Sequence, residues 1–266
     1  MRFQPFASSS HGNAYLVEDG RTRILLECGL AFRTLQKRLG FSLCELDAVL
    51  VTHEHKDHSQ SAAELVRRGQ TVYMSCGTAL ALGLAEERPL TALVQGDGDG
   101  ALRACPVDPE KAVAVVSCPG VELVGHREQF RVGSFDVVPF ATYHDAAEPL
   151  GFVIRSRADG DVLAFATDTV NLRYRFPGLR LLAVEANYDD EVLARSQRLP
   201  DKTKARIRNT HMEIDTLCDI LRGMDLSGCR EVWLLHLSDA MSREGEFVYK
   251  VQMAVPKGVT VRAAER

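Results

Sequence analysis

The stretch Thr52-His53-Glu54-His55-Lys56-Asp57-His58 constrains this chain more than any other. It is an HxHxDH motif that directly follows the apolar run Ala48-Val49-Leu50-Val51. The run reads as a buried strand, and the motif as the loop at its C-terminal end. Three imidazoles and a carboxylate within six residues are costly to bury without a use. Neutral imidazole and carboxylate are ligands that suit zinc and similar divalent ions. In an extended loop, alternate residues face one ion and the next pair faces a second, so the spacing points to two metals. A polar surface loop with chance histidines would not need the strand-then-loop setting that a metal motif needs.

The same arrangement recurs further along. His144 follows Val137-Val138-Pro139-Phe140-Ala141-Thr142-Tyr143, Asp168 follows Val162-Leu163-Ala164-Phe165-Ala166-Thr167, and His236 follows Val232-Trp233-Leu234-Leu235. Taken singly, each has a plainer reading: a capping histidine, a turn aspartate, a satisfied core histidine. Together they repeat one pattern, a polar ligand at the end of an apolar strand. A site assembled from loops at one edge of stacked sheets requires that pattern. Asp168 stands where a carboxylate bridging two cations would sit.

At 266 residues the chain suits one domain spanning 1–266, and 45% hydrophobic content supplies a large core. The net charge of -4 gives no global sign of nucleic-acid affinity, which leaves any such contact to a local basic patch. There are 7 cysteines, an odd number, with no CxxC pair, which points to a reducing cytoplasm rather than a disulfide framework. The start, Met1-Arg2-Phe3-Gln4-Pro5-Phe6, does not read as a signal peptide, and no run is long enough to span a membrane.

Along the chain, Asn13 to Val17 and Thr22 to Leu26 read as a hairpin around Glu18-Asp19-Gly20. Leu30 to Leu39, Ser59 to Arg68 (with Ser59 as cap), Thr78 to Ala85, Glu213 to Arg222 and Glu244 to Met253 read as helices. Strands are expected at Leu46 to Thr52, Val72 to Met74, Val121 to Val124, Phe135 to Phe140, Leu150 to Ile154, Val162 to Thr167, Leu181 to Glu185, Glu231 to Leu235 and Val259 to Arg262. Residues 91–120 are poorly patterned and read as a surface insertion or irregular loop. Within it, Asp97-Gly98-Asp99-Gly100 lacks the later ligands and closing glutamate of a calcium loop. Strands in two batches, each with helices, give an α+β architecture of two sheets packed together with helices outside.

His53-x-His55-x-Asp57-His58, His144, Asp168 and His236, in that order, resemble the ligand set of the metallo-β-lactamase superfamily. The resemblance covers nearly the whole chain and implies a four-layer αββα sandwich of two mixed β-sheets. More narrowly, four segments resemble the YycJ/WalJ group of bacterial cytosolic 5′-to-3′ exonucleases, relatives of ribonuclease Z. These are Ser8-Ser9-Ser10-His11-Gly12-Asn13, His144-Asp145-Ala146-Ala147-Glu148-Pro149-Leu150-Gly151, Ala166-Thr167-Asp168-Thr169 and Val184-Glu185-Ala186-Asn187-Tyr188. The resemblance implies one ion on His53, His55 and His144, a second on Asp57, His58 and His236, and Asp168 bridging. It also places His211 close to a scissile phosphate. There the group shows Gly-His-Leu-Ser-Asn, whereas this chain has Thr210-His211-Met212-Glu213-Ile214. Likewise His236-Leu237-Ser238-Asp239-Ala240 lacks the Asn pair that often follows His-Leu-Ser.

Two adjacent divalent ions, zinc, manganese or iron, acidify a water and clamp phosphodiester oxygens. Asp57 or Asp168 would orient that water, His211 would protonate the departing 3′ oxygen, and Glu185 would hold a ligand histidine in its tautomer. From Arg195 to Arg208 the chain has six basic residues and one acid, leading straight to His211. Lys202, Lys204, Arg206 and Arg208 are the expected phosphate contacts, although a solvated helix face would have the same composition. The expected partner is nucleic acid, foremost single-stranded DNA, in repair or processing, with no membrane. Alternatives are a ribonuclease Z-like ribonuclease, a hydrolase of a cyclic nucleotide, ester or thioester, and a metal-holding regulatory protein without turnover. A missing ligand would favour the last, and none is missing.

Overall fold

The computed structural model describes residues 1–89, 92–96, 102–106 and 113–265. Strands β1 (Arg2–Ser9), β2 (Gly12–Glu18) and β3 (Arg23–Leu26) form an antiparallel meander. Helix α1 (Phe32–Arg38) leads to β4 (Ala48–Leu50), which lies parallel to β3. Two short helices, α2 (Lys56–Ser59) and α3 (Ala62–Arg67), precede β5 (Val72–Met74) and α4 (Cys76–Ala81). Next come β6 (Ala85–Pro89), β7 (Ala92–Gly96), β8 (Leu102–Pro106) and β9 (Val113–Ser117). Strand β10 (Val121–Leu123) then completes a six-stranded sheet in the order β1-β2-β3-β4-β5-β10.

The second sheet has seven strands in sequence order: β11 (Phe130–Val132), β12 (Phe135–Ala141), β13 (Leu150–Ser156), β14 (Val162–Ala166), β15 (Leu179–Glu185), β16 (Glu231–Leu235) and β17 (Thr260–Ala263). Strands β14 to β17 run parallel. Between β15 and β16 the chain forms α5 (Asp190–Arg195), α6 (Asp201–Thr210) and α7 (Ile214–Arg222), and α8 (Glu244–Ala254) precedes β17.

Both sheets are covered on both faces, so their strands read as continuous apolar runs rather than alternating ones. In β15, Leu181 and Ala183 join the core between the sheets, with Tyr15, Leu26, Phe152 and Phe165. Leu182 and Val184 face the other way, onto Leu217, Leu221, Phe247 and Val251 of α7 and α8. Strand β4 divides similarly. Ala48 and Leu50 face the second sheet, and Val49 packs with Leu35, Ala62 and Leu65 of α1 and α3. The result is the expected αββα order of layers.

Some local expectations need correction. The metal motif is not wholly a loop: Asp57 and His58 lie in the first turn of α2. The helix expected at Ser59 to Arg68 is two helices broken at Gln60-Ser61, and the Ser59 hydroxyl donates to Glu54 O and His55 O instead of capping. Helix α4 starts earlier than expected because Ser75 caps it, accepting from Thr78 N, and Ala85 already belongs to a strand. Residues expected to be irregular pair instead: β6 with β9 and β7 with β8, both antiparallel. Their apolar runs are short and closely flanked by Gly, Asp and Pro, which concealed them. Residues 97–100, read as a turn without calcium, lie outside the described residues.

At the sheet edge around the β2–β3 turn, Asp19 fastens the two sheets together. Its Oδ1 accepts from Arg21 N and Thr22 N, and its Oδ2 accepts from Ser134 Oγ at 2.6 Å and Ser156 Oγ at 2.8 Å. Gly133, at φ 53°, lets this contact form, since a Cβ there would lie 2.1 Å from Thr22 Oγ1. Asp19→Ala should therefore lower unfolding stability at neutral pH by about 1–3 kcal/mol, measured in urea. Burial raises the Asp19 carboxyl, but the hydroxyls of Ser134 and Ser156 and the two amides outweigh it and hold it below the ordinary range. A carboxyl depressed in the folded state stabilises fully above its unfolded pKa, and the effect is lost as pH falls through the folded value. The difference between wild type and variant should shrink on acidification through that window.

Candidate metal centre

The second sheet delivers its donors from parallel strand ends. β12, β14, β15 and β16 point the same way, because β13 is antiparallel to both β12 and β14. His144, Asp168 and His236 follow β12, β14 and β16, and Glu185 is the last residue of β15. The first sheet supplies Glu27 directly after β3 and His53 and His55 after β4. Three non-glycine residues here have left-handed backbone: Glu27 at φ 65°, Asp168 at 46° and His236 at 53°. Such conformations are costly and persist where surrounding contacts impose them, often at functional sites. Each turns the chain sharply at a strand end and aims the side chain back across the sheet edge.

The donors form compact groups. His53 Nε2 lies 3.1 Å from His55 Nδ1, which is 3.1 Å from His144 Nε2. Asp168 Oδ2 is 3.3 Å from His144 Nε2 and 3.8 Å from His53 Nε2. Four ligands bonded to a tetrahedral cation at ~2.0–2.1 Å lie about 3.3 Å apart, so these separations fit such an ion. In a second group, Asp57 Oδ2 is 3.4 Å from His58 Nε2 and 3.5 Å from His236 Nε2. Asp168 Oδ2 is also 3.4 Å from His58 Nε2, so one carboxylate oxygen reaches both groups. His236 Nε2 is buried and has no hydrogen-bond partner among the described residues, as expected of an atom reserved for a cation.

Asp168, Glu185, His211 and His236 also cluster, but with a different character. Glu185 Oε1 is 2.7 Å from His211 Nδ1, a hydrogen-bond distance. Glu185 Oε2 is already occupied, accepting from Thr169 N at 2.8 Å and Met212 N at 3.1 Å. Glu185 is therefore a fixed acceptor that orients His211, and it also lies 3.1 Å from His236 Nδ1. The sequence assigned Glu185 to a ligand histidine. The structure adds His211 as its shorter contact.

Other residues orient the imidazoles, and most carry no signal in the sequence. Thr52 Oγ1 lies 2.9 Å from His53 Nδ1, and Thr210 O lies 2.8 Å from His144 Nδ1. Asn13 Nδ2 donates to Asp57 O and lies 3.2 Å from His58 Nε2. Buried Glu27 Oε2 lies 3.7 Å from His58 Nδ1. Glu54, inside the motif, accepts from Ala147 N, and Glu148 accepts from Gly77 N, which fastens the His144 loop to the first sheet. Asn13 and Glu148 lie in segments that carried the family resemblance. Glu27 could have been suspected only as a charged residue between Leu26 and Cys28 in an apolar run.

Burial lowers the pKa of His53 and His144, which keeps them neutral and able to donate lone pairs. Burial alone would raise Asp168, but the charges of His236 and His58 hold it well below the carboxylate range. Asp57 is likewise depressed against the effect of burial, by the imidazoles of His236 and His58 that face it. For His211, burial lowers and the Glu185 charge raises, with a net rise. His55, Asp57, His144 and His211 are half-buried, while His53, His58, Asp168, Glu185 and His236 are buried behind them. Of these, the Asp57 carboxylate and the His211 ring reach solvent, 23% and 13% exposed, whereas the His144 ring is only 1% exposed.

The expected phosphate contacts lie on α6, which ends at His211. Lys202 is exposed, and Lys204 Nζ donates to Ala194 O. Arg206 pairs with Asp145 at 2.7 Å, and Arg208 with Asp190 at 2.6 Å. Glu213, where the group shows another residue, caps α7 by accepting from Thr216 N.

The layers and the donor set together define a metallo-β-lactamase-fold hydrolase. The family profile described as Beta-lactamase superfamily domain matches residues 22–237, and the chain belongs to that family. Exodeoxyribonuclease YycJ of Bacillus anthracis is 26% identical over 263 residues, covering 96% of this chain and 83% of that protein. Exodeoxyribonuclease WalJ of Streptococcus pneumoniae is 27% identical over 214 residues, covering 77% and 69%. The metallo-beta-lactamase fold protein YhfI from Bacillus subtilis shares the fold, with a TM-score of 0.68 over 99% of this chain and 95% of that one at 16% identity.

Two substitutions probe how the centre is held. Glu27→Ala removes the carboxylate facing His58 and should weaken divalent-metal affinity about 10–100-fold, read by competition with a chromogenic chelator. A Cβ at Gly29 would lie 1.6 Å from Asp57 O. Gly29→Ala should therefore displace the start of α2 and lower metal content by elemental analysis, with far-ultraviolet dichroism retained.

Proposed function

We propose that this chain, acting as one domain, is a metal-dependent phosphodiesterase that degrades single-stranded DNA from the 5′ end, in repair or processing. The observation that carries the reading is His211. It is held by Glu185, tends toward the protonated form, and stands beside the donor groups without belonging to either motif-derived set. Its ring centroid is 5.3 Å from that of His144 and 5.5 Å from that of His236. An acid placed there suits protonation of a leaving oxygen. The polymeric substrate is supported by the relatives' names and by the basic face of α6 leading to His211.

The proposed cofactors are two divalent cations, zinc or manganese, with iron also compatible with this donor set. One would be held by His53, His55, His144 and Asp168, and the other by Asp57, His58, His236 and Asp168. When bound, such ions acidify water and take up charge on phosphoryl oxygens. Asp57 and Asp168 orient the attacking water. Glu185 fixes His211 so that its Nε2 proton reaches the departing 3′ oxygen. Lys202, Lys204, Arg206 and Arg208 supply backbone contacts, which are blind to base identity. Buried thiols such as Cys28 and Cys218 are compatible with the cytoplasm as the working compartment.

His211→Ala should lower kcat about 10²–10⁴-fold and leave metal content unchanged; loss of metal would recast His211 as a ligand. An acid must be protonated to act, so activity should fall as pH rises through the His211 pKa. Glu185 favours the protonated ring, and the variant should lose this fall. The substrate is tested with 5′-labelled and 3′-labelled single-stranded DNA, using protein stripped of metal and reloaded with manganese or zinc. Release of mononucleotides from the 5′ end first is expected. Loaded protein that leaves DNA intact but cuts RNA or small diesters would overturn the DNA reading.

A further inference from the structure

A cleft of about 600 Å³ lies beside the metal-bearing edge, between the α5–α6 connection and the loop that leaves His236. One wall carries Arg195, Ser196, Gln197 and Arg198, the other carries Arg243, and buried Met241 contributes to the lining. We propose that this cleft binds backbone phosphates of the nucleic-acid strand whose end lies at the metal centre. The proposal rests on the nuclease reading and extends it from the reacting bond to the rest of the strand.

Three arginines line one concave surface, together with neutral hydrogen-bonding residues and no carboxylate-bearing residue in the lining. Arg198 has no ion-pair or hydrogen-bond partner among the described residues. Arg195 and Arg243 pair with Glu191 and Glu246, one turn along their own helices, and both pairs are solvent-exposed. Exposed pairs of that kind are weak, so a phosphate can take over either guanidinium at little cost. Arginine's forked donors match phosphate oxygens in pairs.

Two covalent paths tie the cleft to the chemistry. Met241 lies five residues beyond His236, and its carbonyl accepts from Asp189 N, which holds the two walls together. Helix α6 begins at Asp201, three residues after Arg198, and ends at His211. Its ten residues span about 15 Å at 1.5 Å per residue, more than a dinucleotide covers even when a single strand is extended well beyond the ~3.4 Å rise of a duplex. The same helix presents Lys202 in its first turn, between the cleft and the centre. On α6 itself, Arg206 and Arg208 carry exposed pairs with Asp145 and Asp190, as Arg195 and Arg243 do with Glu191 and Glu246, whereas Arg198 in the cleft has no such pair among the described residues. The cleft thus continues the basic track and adds Arg198 to it.

The distance gives a length-dependent test. Wild type, Arg198→Ala and the Arg198→Ala/Arg243→Ala double variant, all metal-loaded, are compared on three probes. These are bis(para-nitrophenyl) phosphate, a thymidylate dinucleotide, and an oligothymidylate of about twelve nucleotides, chosen to fall short of and reach past the 15 Å span. The expected result is a KM on the long strand raised about fivefold by the first change and further by the second, with kcat unchanged. The small diester and the short strand should be turned over as by wild type. The slope of log affinity against log salt should shrink by about 0.7 for each arginine removed. Fluorescence anisotropy of the labelled long strand reads the same loss without turnover. Unchanged KM and unchanged binding on the long strand, or an equal loss on the small diester, would overturn the cleft while leaving the nuclease reading intact. Wild-type protein that hydrolyses the small diester but neither binds nor cuts either strand would overturn both.

Discussion

Everything at the metal-bearing edge depends on one electrostatic demand. Imidazole nitrogens stand 3.1 Å apart, and two carboxylates face them within 4 Å in a largely buried setting. Lone pairs gathered this closely repel one another, and burial removes the water that would screen them. Positive charge resolves the conflict. Without a cation, the carboxylates draw protons onto His58 and His236, whose pKa values rise well above the ordinary imidazole value against the effect of burial. A divalent cation would satisfy the same oxygens and the same nitrogens at once, and the arrangement fits such an ion.

The fold supplies the rigidity that such crowding requires. Parallel strands of the second sheet end side by side, and strained turns at Glu27, Asp168 and His236 aim their side chains across that edge. Gly29 allows the backbone of the metal loop to lie against the strand end, with Gly29 N donating to Asn13 O and Cys28 N to His58 O. The fully packed layers below hold these strand ends in register. At the β2–β3 turn, the Asp19 clasp keeps the two sheets from sliding over one another. Ligand spacing at one edge therefore depends on packing throughout the sandwich.

Much of this was legible in the sequence for a physical reason. A metal ligand must sit at a defined end of a strand, and a strand buried on both faces announces itself as an apolar run. His53, His144, Asp168 and His236 each follow such a run, so their convergence could be read from punctuation alone. The short helix carrying Asp57 and His58 was not legible, because four residues show no helical period. The pairing of β6 with β9 was hidden by Gly, Asp and Pro between short runs. The basic stretch announced charge, but not which arginines are already neutralised by Asp145 and Asp190.

Residue type and order by themselves pointed to two helix-covered sheets and to candidate donors after apolar strands, because these depend on chemistry repeated at strand ends; the role expected of His211, which follows helix α6, came from the family resemblance. Only the tertiary structure decided which side chains support that chemistry. Glu27 facing His58, Thr210 O facing His144 and Glu185 bonding to His211 join residues distant in the chain, and no local pattern encodes such contacts. Tertiary structure also decided which face of each apolar run meets the other sheet and which meets a helix. A continuous apolar strand carries no mark that distinguishes its two sides, and the choice is made only when both are packed.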